Sequence, residues 1–197
     1  MPIYLIRHGE TALNAARILQ PTDTPLSAAG LEQAQALALR MSAVRLNAIM
    51  SSDLPRALQT AQAVMSKQRN VNQSSIHINP LLQERDLGDY RGKPYDAVGK
   101  DILTLQEAPP GGESMPEFAA RVALAFSAMV QLQARYEHLA VVTHGLVIRE
   151  MIVQHLSLRA GIEAPRHIGN TSVTVFETTP PYWVDVLNST GHILAPI

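Results

Sequence analysis

An α/β layer fold is predicted by three features of this 197-residue chain. Short apolar runs alternate with segments of helical period. The two strongest runs, Ile3-Tyr4-Leu5-Ile6 and Leu139-Ala140-Val141-Val142, each lead into a histidine followed by glycine. Hydrophobic residues make up 46% and charged residues 17%, enough apolar material for a sizeable core.

The elements follow in order. Residues 3–7 read as a buried strand. Ser27 caps a helix with Leu31, Ala34, Leu37, Ala38 and Met41 on its apolar face. Ala48-Ile49-Met50 is a short strand that runs out at Ser51-Ser52. Asp53 reads as the next N-cap, with Pro55 in the first turn and Leu54, Leu58, Ala61 and Met65 as the stripe. Ile76-His77-Ile78 is a weaker strand. Residues 80–116, rich in Pro, Gly and charge, form a surface excursion over the end of the sheet. Phe118, Val122, Phe126, Met129 and Leu132 mark a long helix. The strand 139–143 leads to a helix that buries Ile148, Met151 and Ile152, and 171–176 with 183–187 close as a hairpin around Pro180-Pro181. No linker divides the chain, so residues 1–197 are read as one domain.

Composition narrows the function. The formal charge of −1 removes the electrostatic case for nucleic-acid binding. No apolar run is long enough to cross a bilayer, and no signal peptide precedes the first strand. With no cysteine, disulfides, thiolate metal sites and a cysteine nucleophile are excluded, and a cytoplasmic location is expected.

The chemistry gathers where the strands end, because ligands of open α/β sheets bind outside the strands' carboxyl ends. His8, as neutral imidazole, is a candidate nucleophile that splits phosphoryl transfer into two easier steps. Gly9 beside it lets an anion approach the backbone. Arg7 and Arg56 are always charged and suited to bidentate grip on phosphate oxygens. Asn14 is a further donor, and His144 is placed to hold charge on the transferring group. Glu84 is the candidate acid for the leaving oxygen, ahead of Asp86. Neither an HxH nor an HExxH pattern occurs, so no metal site and no cofactor are expected.

These residues fall in a recognisable order. Leu5-Ile6-Arg7-His8-Gly9-Glu10-Thr11 resembles the signature of the histidine phosphatase superfamily, the phosphoglycerate-mutase-like proteins. Asp23-Thr24-Pro25-Leu26-Ser27 with Gly30 and Gln33, then Ser51-Ser52-Asp53-Leu54-Pro55-Arg56, are similar to its second and third blocks. The segment from Glu84 to Gly92, Gly112-Glu113-Ser114 and Val142-Thr143-His144-Gly145 complete the set. The resemblance implies a three-layer α/β/α sandwich with a central, mostly parallel sheet. It implies His8 as the phosphorylated nucleophile and Glu84 as acid, then base. It also implies a metal-free phosphate pocket of Arg7, Asn14, Arg56, His144 and the Gly145 N–H.

Within that family the expectation is a phosphomonoester hydrolase acting on a small phosphorylated metabolite. The alternative is a phosphoglycerate mutase, and a phosphate-binding module without turnover comes third. Mutases of the resemblance carry a tyrosine and a lysine after the acid, then paired arginines. Here Leu87 and Tyr95 stand at the first two places, and no arginine occurs between Arg91 and Arg121. Leu13 replaces the usual tryptophan before Asn14. Arg85, after the acid, is a mutase-like feature, and Pro21 stands where a glycine is usual, stiffening one edge of the pocket. The sequence specifies neither the substrate nor the oligomeric state.

Overall fold

The computed structural model describes residues 1–68, 76–99, 101–102 and 104–193. Twelve elements are used here. They are β1 (Pro2–Arg7), α1 (Ala12–Ala15), α2 (Ala28–Met41), β2 (Ala48–Ser51), α3 (Pro55–Ser66) and β3 (Ile76–Ile78), then α4 (Tyr95–Val98), α5 (Met115–Gln133), β4 (Leu139–Thr143), α6 (Gly145–Gln154), β5 (Val173–Glu177) and β6 (Val184–Ser189). The six strands form one sheet in the order β3-β2-β4-β1-β5-β6. Neighbours from β3 to β1 pair in parallel, whereas β5 and β6 add an antiparallel hairpin.

Strand alternation builds the layers. Ile3 and Leu5 of β1, Ala48 and Met50 of β2, and Leu139 and Val141 of β4 point to one face, where Phe118, Val122 and Met129 of α5 and Val147 and Met151 of α6 cover them. Ile6, Ile49, Ala140 and Val142 point to the other and meet Leu37 and Met41 of α2 and Ala57, Ala61 and Val64 of α3. Both faces are buried, so these central strands are almost uniformly apolar. The result is the expected three-layer α/β/α sandwich.

Three local expectations change. Leu31 is exposed, and the inward position one residue earlier belongs to Gly30. That glycine is required: a Cβ there would lie 1.9 Å from the Glu10 carbonyl oxygen, because α2 packs its backbone against the loop after β1. The N-cap of α3 is Leu54 without a side-chain cap, since Asp53 instead accepts both 2.8 Å hydrogen bonds from Gln83 Nε2. Leu58 and Leu132 are only half-buried. The excursion at 80–116 lies where expected but is partly ordered as 3₁₀ turns at Pro80–Leu82 and Gly88–Tyr90 and the short α4.

Candidate active site

Register brings the site together. In the parallel trio β2-β4-β1, Arg7 pairs with Thr143 and Ser51 with Val142, so the strands end level. The ladder extends one residue further, through His8 N–H to the Thr143 carbonyl and Ser52 N–H to the Val142 carbonyl, each 3.0 Å. The side chains just past the strands, Ser52, His144 and His8, therefore stand in a row. The two imidazole centroids are 5.1 Å apart, and Ser52 Oγ is 2.9 Å from His144 Nε2.

His8 is 1% exposed, and its ring orientation is fixed by Nδ1, 2.7 Å from the Gly9 carbonyl oxygen. A carbonyl only accepts, so Nδ1 carries the proton and Nε2 is left with its lone pair. Burial, then the charges of Arg7 and Arg56, hold its pKa well below the ordinary imidazole value. The ring is thus neutral at neutral pH. His144, 0% exposed, is likewise held low by burial and by Arg56, His8, Arg7 and Arg121. Its Nδ1 has no partner, so a proton there, with Ser52 donating to Nε2, makes it a donor toward an added anion.

Gly9 serves a different purpose from the one its sequence suggests. A Cβ would lie 2.6 Å from the Gly30 carbonyl oxygen, and its N–H donates to Thr60 Oγ1 at 3.0 Å. The glycine accommodates α2 rather than an approaching ligand. The whole loop is braced this way: Gln33 Oε1 accepts from Glu10 N–H at 2.9 Å, and Glu10's carbonyl accepts from Ser27 N–H at 2.9 Å. Ser27, the N-cap of α2, with Gly30 and Gln33 on the same side of that helix, holds the loop that carries His8.

Both arginines are anchored by one end. Arg7 Nη1 donates to the Ile168 carbonyl, and Arg56 Nη1 donates to the carbonyls of Pro21 (3.2 Å) and Thr22 (3.5 Å). Pro21, which lacks the N–H a glycine would supply, thus contributes its carbonyl to hold Arg56. The Nε of each guanidinium is buried with no partner. Burial lowers both pKa values, that of Arg56 to about 10, while Glu84 opposes the shift, so both stay charged at neutral pH. Two desolvated cations with unmet donors beside a bare imidazole nitrogen are suited to a dianionic phosphoryl group.

Glu84 faces the same space. Its carboxylate accepts from Arg85 N–H at 3.1 Å and from Leu146 N–H, in the first turn of α6, at 3.2 Å. Arg121 of α5 fixes the backbone leading to the acid, donating to the carbonyls of Leu81 and Gln83 at 2.8 Å and of Glu84 itself at 3.4 Å. Arg85 turns from the acid to the carbonyls of Ile102, Glu107 and Glu113 (3.2–3.3 Å), so it ties the excursion together. Asp86 is occupied by Gly88 N–H and Arg91.

Arg7, Asn14, Arg56, Glu84 and Gly145 line one cavity of about 480 Å³. His8 and His144, each next in the chain to one of these lining residues, are themselves buried. Gly145 sits against the Arg7 guanidinium, 3.4 Å from Nε to where a Cβ would be. Tyr95, Arg149 and Asn170 also reach this cavity, and sequence reasoning assigned none of them a role. Asn170 Nδ2 donates to the His8 carbonyl at 3.1 Å and to Asn14 Oδ1 at 3.4 Å. Its backbone carbonyl accepts from Thr171 Oγ1, which in turn meets His192 Nε2 at 3.0 Å, while Arg40 Nη1 lies 3.1 Å from His192 Nδ1. No local pattern marks this chain of contacts. Among the described residues, no group of three or more His, Asp or Glu is placed to hold a metal ion, and no helix is long and apolar enough to cross a membrane.

Residues 3–189 match the model of the histidine phosphatase superfamily (branch 1). The chain is 34% identical over 211 residues to phosphoglycerate mutase-like protein 4 of Arabidopsis thaliana, covering 97% of this chain and 89% of that one. Among solved structures, YhfR of Bacillus stearothermophilus matches with a TM-score of 0.81 and 30% identity over 98% of this chain and 99% of the other. The α-ribazole phosphatase of Shigella flexneri matches with a TM-score of 0.79 and 27% identity over 96% and 97%.

Proposed function

The chain belongs to the histidine phosphatase superfamily, and we propose that it is a metal-independent phosphomonoester hydrolase working through a phosphohistidine at His8. The observation that carries this reading is the His8 ring: its Nδ1 proton is committed to the Gly9 carbonyl, so Nε2 keeps its lone pair, within reach of the charges of Arg7 and Arg56. In the first step Nε2 attacks phosphorus, the bond from phosphorus to the ester oxygen breaks, and that oxygen takes the proton of the Glu84 carboxyl. Arg7, Arg56, Asn14 and His144 hold the equatorial oxygens as charge shifts. In the second step the Glu84 carboxylate takes a proton from water, and the resulting hydroxide attacks phosphorus. The nitrogen–phosphorus bond then breaks, phosphate leaves and Glu84 is protonated again.

Hydrolysis is favoured over a mutase by the outer cavity. Leu87, at the tyrosine position of the mutases, is buried with Leu19 and Ile102 in an apolar cluster, and Arg85 is spent on backbone carbonyls. The likeness to α-ribazole phosphatase supports the same choice. The substrate is taken to be a small phosphorylated metabolite.

The test is a phosphomonoester panel including 3-phosphoglycerate, with chelator present, following free phosphate and 2-phosphoglycerate together. Native protein is expected to release phosphate, and His8→Ala to lose at least ~10⁴-fold, as removal of a nucleophile does. Isomerisation without release overturns the hydrolase reading in favour of a mutase. Release that survives in His8→Ala overturns the phosphohistidine.

A further inference from the structure

The outer cavity is rich in arginine, and nearly all of that charge is already spoken for. Arg7 and Arg56 face the phosphate position. Arg85 is bound to carbonyls. Arg17 lies 3.5 Å from Asp96, Arg91 3.1 Å from Asp86, and Arg166 2.7 Å from Asp101. Arg149 differs from all of them. Among the described residues its guanidinium has no hydrogen bond and no ion pair, and its Nε is buried without a partner. Glu150, next in the chain, feels its charge but is not in ion-pair contact.

Its position in the fold says what it can reach. Arg149 follows Gly145 by four residues on α6, so the two share a face, and helical side chains lean toward the N-terminus. Gly145 is the residue against which the Arg7 guanidinium packs. Four residues of helix rise about 6 Å. Arg149 therefore stands roughly one turn from the phosphate position, in the same cavity. The apolar cluster of Leu19, Leu87 and Ile102, with Tyr95 packed on it, forms another wall of that cavity.

We propose that Arg149 is a second anion subsite, and that the preferred substrate is a phosphomonoester whose leaving alcohol carries one further negative charge about a helical turn from phosphorus. The proposal rests on the hydrolase reading of the same cavity. One unpaired cation calls for one charge, a carboxylate or a phosphodiester. A neutral alcohol filling the cavity strips water from Arg149 and gives nothing back, which penalises its binding.

Non-hydrolysable phosphonates separate this from turnover. Calorimetry compares phenylphosphonate with 4-carboxyphenylphosphonate, and with the analogue bearing a methyl phosphodiester in place of the carboxylate. Native protein is expected to bind one of the two probes that carry the further charge at least ~10-fold more tightly than phenylphosphonate, and the tighter names the source of that charge. Arg149→Met is expected to abolish the preference, and Arg149→Gln repeats the comparison should the first variant fail to fold. Equal binding by native protein, no binding of any probe, or a preference that survives in either variant overturns the subsite. Phosphate release from phenyl phosphate by native protein is followed separately. A preference without release removes the hydrolase reading and leaves the subsite standing; release without a preference removes the subsite alone.

Discussion

At the base of the site, His8 and His144 past the strand ends and Arg56 on the cavity wall are between 0% and 2% exposed and are held by strand register and backbone carbonyls. At its rim, Arg17, Asp96 and Arg166 are mostly solvated, with Arg17 paired to Asp96 and Arg166 to Asp101. The base is made from strand ends that the core fixes to within a residue, so its groups are prearranged for charge that develops in the transition state. The rim comes from the loop after α1, the segment after β3 and the loop before β5, where exposed ion pairs contribute little to stability. One region is thus suited to the reaction common to many phosphomonoesters, the other to the choice among them. Glu84 belongs to neither: its proposed role joins it to the base, yet it is carried on the rim segment and held there by Arg121.

Three changes test that contrast. Arg7→Ala, at the base, is expected to lower kcat/KM by about 10²–10³-fold, the scale of losing a preorganised donor to a developing oxyanion. Because Arg7 also donates to the Ile168 carbonyl, steady-state kinetics are to be paired with a thermal melt. A loss of activity without a comparable loss of Tm supports a catalytic base, whereas proportional losses sink the distinction. Arg121→Met is expected to lower kcat by ~10-fold through the loosened Glu84 backbone, and stability by about 2 kcal/mol as charged hydrogen bonds are lost. Unchanged kcat in the folded variant would show that Glu84 needs no brace. The smallest effect is a matter of pH. Burial, then Arg40, lowers the His192 pKa to about 4, so below the unfolded value near 6.5 the unfolded chain takes up the proton first. Stability from this group is full above pH 6.5 and falls progressively toward pH 4. His192→Gln is expected to melt lower at pH 8 but to show a shallower fall between pH 6.5 and 4. A slope equal to the native one would mean that His8 and His144, which shift in the same direction, account for it alone.

The strand ends were legible because local rules govern them. Two apolar runs followed by His-Gly and one followed by Ser-Ser place their next side chains at the edge of a parallel sheet, and pairing makes the three strands end level. The helices were legible for the same reason, apart from Leu31, where the packing of Gly30 against Glu10 overrode the apolar stripe, the half-buried Leu58 and Leu132, and the start of α3, where Asp53 serves Gln83 instead of capping. What could not be read were roles that depend on distant partners. Asn170 lies 162 residues from the carbonyl it braces, and Arg149 stands out only because the neighbouring arginines find acids or carbonyls and it does not. Arg85 shows the converse: beside the acid it looks like a substrate contact, and the fold uses it for three carbonyls instead.

The contacts from His192 through Thr171 and Asn170 to the His8 carbonyl tie the loop after β1 to residues far along the chain. His8 and the turn that supports its carbonyl lie 162 residues apart. A polypeptide cut short before Asn170 keeps the imidazole and loses that brace. The geometry on which the proposed phosphoryl chemistry depends is therefore open only to a chain that extends through that turn.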